Sequence, residues 1–178
     1  MAFGTNSNIF QYVAKNLLGC FMQSNVVPVT MSATGFLGDT MNFALYGNTG
    51  TPDKTVATAV LCAYNGAASA WVTGNEGTGG SGYSAGGNTL GTKGWATDAT
   101  AGPCFTAAQP VWTITGGPFT AYGGLLYDNT VTASGNFAAK QGMCFNAFGG
   151  VQSVTGGTFT VAWATAGSTA NTIFNLSV

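Results

Sequence analysis

Near the start of the chain, apolar positions recur at helical spacing. Ile9, Phe10, Val13, Leu17, Cys20 and Phe21 fall on one stripe at intervals of three and four. Asn6, Ser7 or Asn8 would cap such a helix, because a short polar side chain accepts from the free N–H groups of the first turn. Gly19 weakens its end. This predicts a helical segment within residues 1–24, followed by a β domain over residues 25–178. Val26-Val27-Pro28-Val29 reads as extended, since a proline restricts the residue before it. From Met41 the period changes to two: Met41, Phe43 and Leu45 share one face of a strand, which ends at the turn-rich Gly47-Asn48-Thr49-Gly50. Val56 to Tyr64 suits either a strand or a short helix. Gly74 to Gly94 is rich in glycine and reads as a surface loop with high backbone freedom.

The last part of the chain carries an internal similarity. Cys104-Phe105, Ala107, Val111, Thr115-Gly116-Gly117 and Phe119-Thr120 align without a gap on Cys144-Phe145, Ala147, Val151, Thr155-Gly156-Gly157 and Phe159-Thr160. A Gly-Gly pair between two β-type runs suits a tight turn, so the pattern predicts two equivalent hairpins in neighbouring sheets. The competing explanation is chance matching among abundant Gly and Thr. Ile173-Phe174-Asn175-Leu176 reads as a final strand. The expected fold is mainly β: a single antiparallel β-sandwich or barrel-like domain with a short N-terminal helix.

Composition narrows the function more than the fold. Of 178 residues, 46% are hydrophobic and only 5% charged, against roughly 25% charged in ordinary soluble domains. There are 28 Gly and no His, and all the basic residues are Lys. That excludes a His-based triad, a His-ligated metal and an Arg phosphate clamp built from this chain alone. Four scattered Lys do not make a nucleic-acid surface. The segment Ile9–Met22 contains Gln11, Lys15 and Asn16, and no run is long enough to span a membrane as a helix. Neither nucleic acid nor membrane is an expected partner, and the expected compartment is a cytosol. Cys20, Cys62, Cys104 and Cys144 lie far apart in sequence, so free buried thiols are expected, with no disulfide and no metal.

No other constellation carries chemistry. Gly86 to Gly94 resembles a phosphate loop only faintly, because Lys93 is followed by Gly94-Trp95 and no helix is expected there. Asp39, Asp53, Glu76, Asp98 and Asp128 sit beside Gly, Asn or Thr, the setting of turn-forming or solvated carboxylates, and nothing in their spacing pairs two of them. Trp112 and Trp163 lie in strand-like runs and are expected in the core. Trp95 and Tyr83 flank the glycine-rich stretch and are expected to be exposed. No catalytic role and no cofactor is expected.

Several segments in order resemble a family of tailed-bacteriophage virion structural proteins of the head-decoration or minor structural type. They are Asn42-Phe43-Ala44-Leu45-Tyr46, Thr51-Pro52-Asp53-Lys54, and the signature Asn75-Glu76-Gly77-Thr78-Gly79-Gly80-Ser81-Gly82-Tyr83-Ser84-Ala85-Gly86-Gly87 with Leu90. Val111-Trp112-Thr113, Leu126-Tyr127-Asp128, Gln152 to Val161 and Ile173-Phe174 follow. Where the family carries an Arg, this chain has Tyr122 or Gly123. The resemblance implies a β-rich structural subunit without catalysis, assembled into a virion in the bacterial cytoplasm. The first expectation is a capsid decoration or cement protein, a homo-oligomer bound to the major capsid protein or other virion proteins. The second is a tail- or fibre-associated protein that binds a receptor or glycan. Low charge suits a chain that buries surface against neighbours. Ile9, Phe10, Val13, Leu17, Phe21, Tyr83 and Trp95 are the candidate interface residues. For the stripe, the alternative is packing on its own sheet.

Overall fold

The structure is a computed structural model that describes residues 8–15, 37–99, 102–133, 137–166 and 169–175. The stripe divides at its start. Asn8–Ile9 form strand β1, paired antiparallel with Phe145 and Cys144. Phe10 continues this contact, its N–H donating to the Met143 carbonyl at 3.2 Å. Helix α1 then covers residues 11–15. The Gln11 N–H, free at the helix start, donates to the Lys54 carbonyl at 2.9 Å. The expected helix therefore begins two residues after Ile9, because the sheet edge claims the backbone before it. Leu17, Cys20, Phe21 and Val26–Val29 lie outside the described residues.

The chain is mainly β, sandwich-like and antiparallel throughout its described strand pairs. Further strands are β2 (Met41–Tyr46), β3 (Asn88–Thr89), β4 (Gly94–Asp98), β5 (Gly102–Thr106) and β6 (Val111–Ile114). Then come β7 (Phe119–Asp128), β8 (Gln141–Val154), β9 (Gly157–Thr160), β10 (Ala164–Ala166) and β11 (Thr169–Asn175). Val56 to Tyr64 resolves as a short helix, α2 (Ala59–Cys62). One sheet has the order β1-β8-β7-β2-β3, a second β10-β11-β5-β4, and β6 and β9 form a two-stranded ribbon.

Strand β2 shows why the period-two pattern is only half the account. Met41, Phe43 and Leu45 are buried on one face, but Ala44 and Tyr46 on the other are buried as well. Trp71 covers that second face: its ring meets Tyr46 at 5.0 Å and Phe10 at 5.8 Å, both edge-on. On the first face Phe43 meets Trp163 edge-on at 4.9 Å, which ties the first sheet to the segment entering β10. Trp112 and Trp163 are buried, as their strand-like setting predicts. Gly124 on β7 lies across from Leu45, and a Cβ there would sit 2.3 Å from the Phe43 ring.

The two Thr-Gly-Gly triads are equivalent, but they are not hairpins. β6 pairs with β9, and β7 with β8. Each triad therefore carries the chain around a corner from one sheet into another. The corners lie side by side, with Ile114 opposite Gly157 and Phe119 opposite Val154. Gly117 at φ +131° and Gly157 at φ +103° supply backbone that other residues rarely adopt. The equivalent residues Phe119 and Phe159 meet edge-on at 5.6 Å, so the repeat closes on itself.

Gly124→Ala drives a methyl into the Phe43 ring and is expected to cost about 1–3 kcal/mol in urea unfolding. Gly150→Ala, whose Cβ would meet nothing within 4 Å, is expected to change stability by less than about 0.5 kcal/mol. Equal midpoints for the two variants would show that Phe43 is not held against β7.

Candidate functional site

The residues singled out from sequence do not converge. Phe10 and Val13 are fully buried, and the Phe10 ring lies 5.5 Å from Phe145 and packs on Trp71. This corrects their reading as an intermolecular surface: the chain's own sheet takes that face. Ile9 is half-buried at the sheet edge, and Leu17 and Phe21 lie outside the described residues. Trp95 is 46% exposed on β4, at the edge of the second sheet, with Phe105 beside it at 5.1 Å. Tyr83 is corrected too. Its ring lies 5.0 Å from Phe119 and 6.0 Å from Trp112, and its hydroxyl points inward.

What Tyr83 meets is Glu76, the chain's single glutamate, which is only 4% exposed. The segment around Glu76 runs against the end of β2. The Gly77 N–H donates to the Leu45 carbonyl and the Gly47 N–H to the Asn75 carbonyl, each at 2.9 Å. The carboxylate then gathers donors from three places. Tyr64 Oη donates to Oε1 at 2.7 Å, Tyr83 Oη donates to Oε2 at 2.5 Å, and the Gly86 N–H lies 3.1–3.2 Å from both oxygens. The network extends outward. Tyr83 Oη accepts from the Leu45 N–H at 2.9 Å, and Tyr127 Oη donates to the Gly86 carbonyl at 2.9 Å. The Tyr64 and Tyr127 rings stack at 4.6 Å. Burial first, with the nearby Glu76 charge adding to it, raises the hydroxyl of Tyr83 far above its ordinary range; burial also pushes Tyr127 up to about 12. Both hydroxyls stay protonated, so Tyr83 remains a donor to the carboxylate and Tyr127 to the Gly86 carbonyl.

The glycine-rich stretch is correspondingly not a free loop. Thr78 bridges Thr120, and Ser81 bridges Thr115, so the stretch lies along the β6–β7 corner. A Cβ on Gly82 would fall 1.9 Å from the Thr113 carbonyl, and one on Gly87 1.8 Å from the Phe43 carbonyl. Glycine is needed here for close backbone approach, whereas the sequence alone suggested flexibility. One signal was available: a lone Glu in an uncharged stretch, with Tyr and Gly-Gly soon after it.

Two further carboxyl groups meet. Asp39, just before β2, lies beside Asp128 at the end of β7, and both are buried. Asp128 Oδ1 accepts from the N–H groups of Thr130 at 2.8 Å and Val131 at 3.3 Å. The turn role expected of Asp128 is therefore present, but inside the fold. Burial, with the Asp39 charge as a smaller contribution, pushes the Asp128 carboxyl up from 3.8 to about 7 against the pull of those N–H donors. Asp53 keeps the expected exposed turn, accepting from Thr55.

Lys93 leads directly into strand β4 at Gly94, so no helix N-terminus faces it. Cys62, Cys104 and Cys144 are free and buried, and burial pushes the thiols of Cys62 and Cys144 up to about 12. Among the described residues, no three His, Cys, Asp or Glu side chains gather as a metal site, and no helix is long and apolar enough to cross a membrane. Glu76, Asp39, Asp128 and these three thiols are thus turned inward. Comparison with known proteins places nothing beside this chain, since no family model, curated protein or solved structure matches it.

Glu76→Gln keeps the shape of the side chain but presents an amide N–H₂ where a tyrosine donor now sits. It is expected to cost about 3 kcal/mol in urea unfolding, and Tyr83→Phe about 1–2 kcal/mol. Wild-type stability in Glu76→Gln would mean that the carboxylate does not hold the loop. For Asp128 the raised value means that the folded chain keeps a proton which the unfolded chain releases between pH 3.8 and about 7. Its contribution to stability is complete below that window and is lost as pH rises through it. Asp128→Asn, which stays neutral, is expected to gain stability relative to wild type as pH rises across the window. A constant difference between the two chains from one end to the other would contradict this assignment.

Proposed function

We propose that this chain is a structural component of a tailed-bacteriophage virion. In this reading it is a capsid decoration or cement protein that stabilises the head through contacts with the major capsid protein and with further copies of itself. The observation that carries the reading is the use made of the glycine-rich signature, the segment on which the resemblance chiefly rests. Its Glu76, Tyr83 and Gly86 hold the chain's own fold together. Such a segment is what a rigid building block requires, because its purpose is shape.

The exterior agrees with that role. With 5% charged residues, much of the surface is neutral polar and apolar, and Trp95, Val111 and Val151 stand 46%, 46% and 52% exposed. Burying such side chains at contacts contributes roughly 25 cal/mol per Å² before association costs. Catalysis has no part in this proposal.

Gel densitometry on purified particles tests it. The band of this chain is expected at a copy number comparable to that of the major capsid protein. A few copies per particle would move the chain to the tail or a fibre, and its absence from particles would contradict a virion role.

A further inference from the structure

At one end of the sandwich the second half of β8, strand β9, residues 161–164 and β11 surround a cleft of about 730 Å³. That lies within the size range of small-molecule sites, roughly 300–1,000 Å³. Phe159 and Trp163, each 8% exposed, form part of its lining, and Phe148 is a partly exposed ring beside them. Asn146, Gln152 and Thr160 add groups that both donate and accept hydrogen bonds. Among the described residues, no charged side chain lines it.

Asn146 gives the cleft its direction. Its Oδ1 is buried without a hydrogen-bond partner. The residue opposite it on β7 is Gly124, which has no side chain to supply one. Asn146 lines the cleft, and a turn of its amide toward the cleft would let this oxygen accept from an incoming hydroxyl donor. An apolar ligand would leave it unpaired. A phosphate, a nucleotide or a sugar acid would find no counter-charge. An uncharged ligand with many hydroxyls and a C–H face for the Phe148 ring fits both kinds of group.

We propose that this cleft binds a neutral saccharide, with a sugar hydroxyl donating to Asn146 Oδ1 and the ring seated against Phe148. The proposal rests on the cleft alone and is independent of the copy number in a virion. It also places ligand contact away from Tyr83 and Trp95.

The test uses the full chain with neutral and acidic oligosaccharides on a glycan array, followed by titration calorimetry on the best neutral di- or trisaccharide. Neutral sugars are expected to bind in preference to sialylated or sulfated ones. Asn146→Ala and Phe148→Ala are each expected to weaken binding by about tenfold or more, while Trp95→Ala binds as wild type. Urea midpoints near wild type keep the variants interpretable; if Phe148→Ala unfolds, Asn146→Ala alone carries the comparison. No neutral sugar bound at about 10 mM would overturn the proposal, as would binding that survives Asn146→Ala. Self-association abolished by Phe148→Ala, with no sugar bound, would give the cleft to a second copy of the chain and also overturn it.

Discussion

A single buried carboxylate organises this domain. Glu76 is satisfied by two tyrosine hydroxyls and a backbone N–H. A buried charge is costly unless its oxygens are met by donors, and here the donors lie 7 to 12 residues away along the chain, Tyr64 before Glu76 and Tyr83 and Gly86 after it. Meeting that requirement fixes where the glycine-rich stretch lies. Once Gly86 is held at the carboxylate, Gly87 is pressed against the Phe43 backbone, and the preceding glycines run along the β6–β7 corner. The corner in turn sets how Phe119 meets Phe159, and so how the ribbon β6–β9 seats on the large sheet. The polar hub and the aromatic core are therefore coupled, and loosening the first releases a covering segment of the second.

This arrangement bears on function through what it leaves outside. Glu76, Asp39, Asp128 and the thiols of Cys62, Cys104 and Cys144 are all buried. Among the described residues, the outward surface carries few charges, scattered apolar side chains and an uncharged cleft. Such a surface offers shape and neutral contact. The virion proposal and the saccharide proposal both draw on that, and they use different parts of the surface.

Local patterning made part of this legible in the sequence. The alternation of Met41, Phe43 and Leu45 gave strand β2, and the strand-like setting of Trp112 and Trp163 placed them in the core. The match between residues 104–120 and 144–160 marked two equivalent turns, but periodicity does not say which strand pairs with which. Corners and hairpins share the same Gly-Gly chemistry, and only the pairing of β6 with β9 separates them. Ile9 fits a helical stripe equally well as a sheet edge, and the edge won because Cys144 and Phe145 offered it a partner. The glycine stretch misled for a related reason. Glycine allows flexibility and it allows close approach, and the choice depended on Glu76 meeting Tyr64 and Tyr83 across the fold. Trp95 was legible as exposed because it stands on an edge strand. Tyr83 was not, because its burial arises from contacts with distant residues Phe119, Trp112 and Leu45.

Native-state amide hydrogen exchange measures the central claim most directly. If the carboxylate locks the stretch, the N–H groups of Gly77 and Gly86 exchange only with the opening that also exposes Leu45 on β2, and all three slow together. Glu76→Gln would then speed Gly86 and Leu45 in step. Exchange of Gly86 at the rate of an unstructured loop, with Leu45 still protected, would show that the stretch moves independently of the core and that Glu76 does not organise the fold.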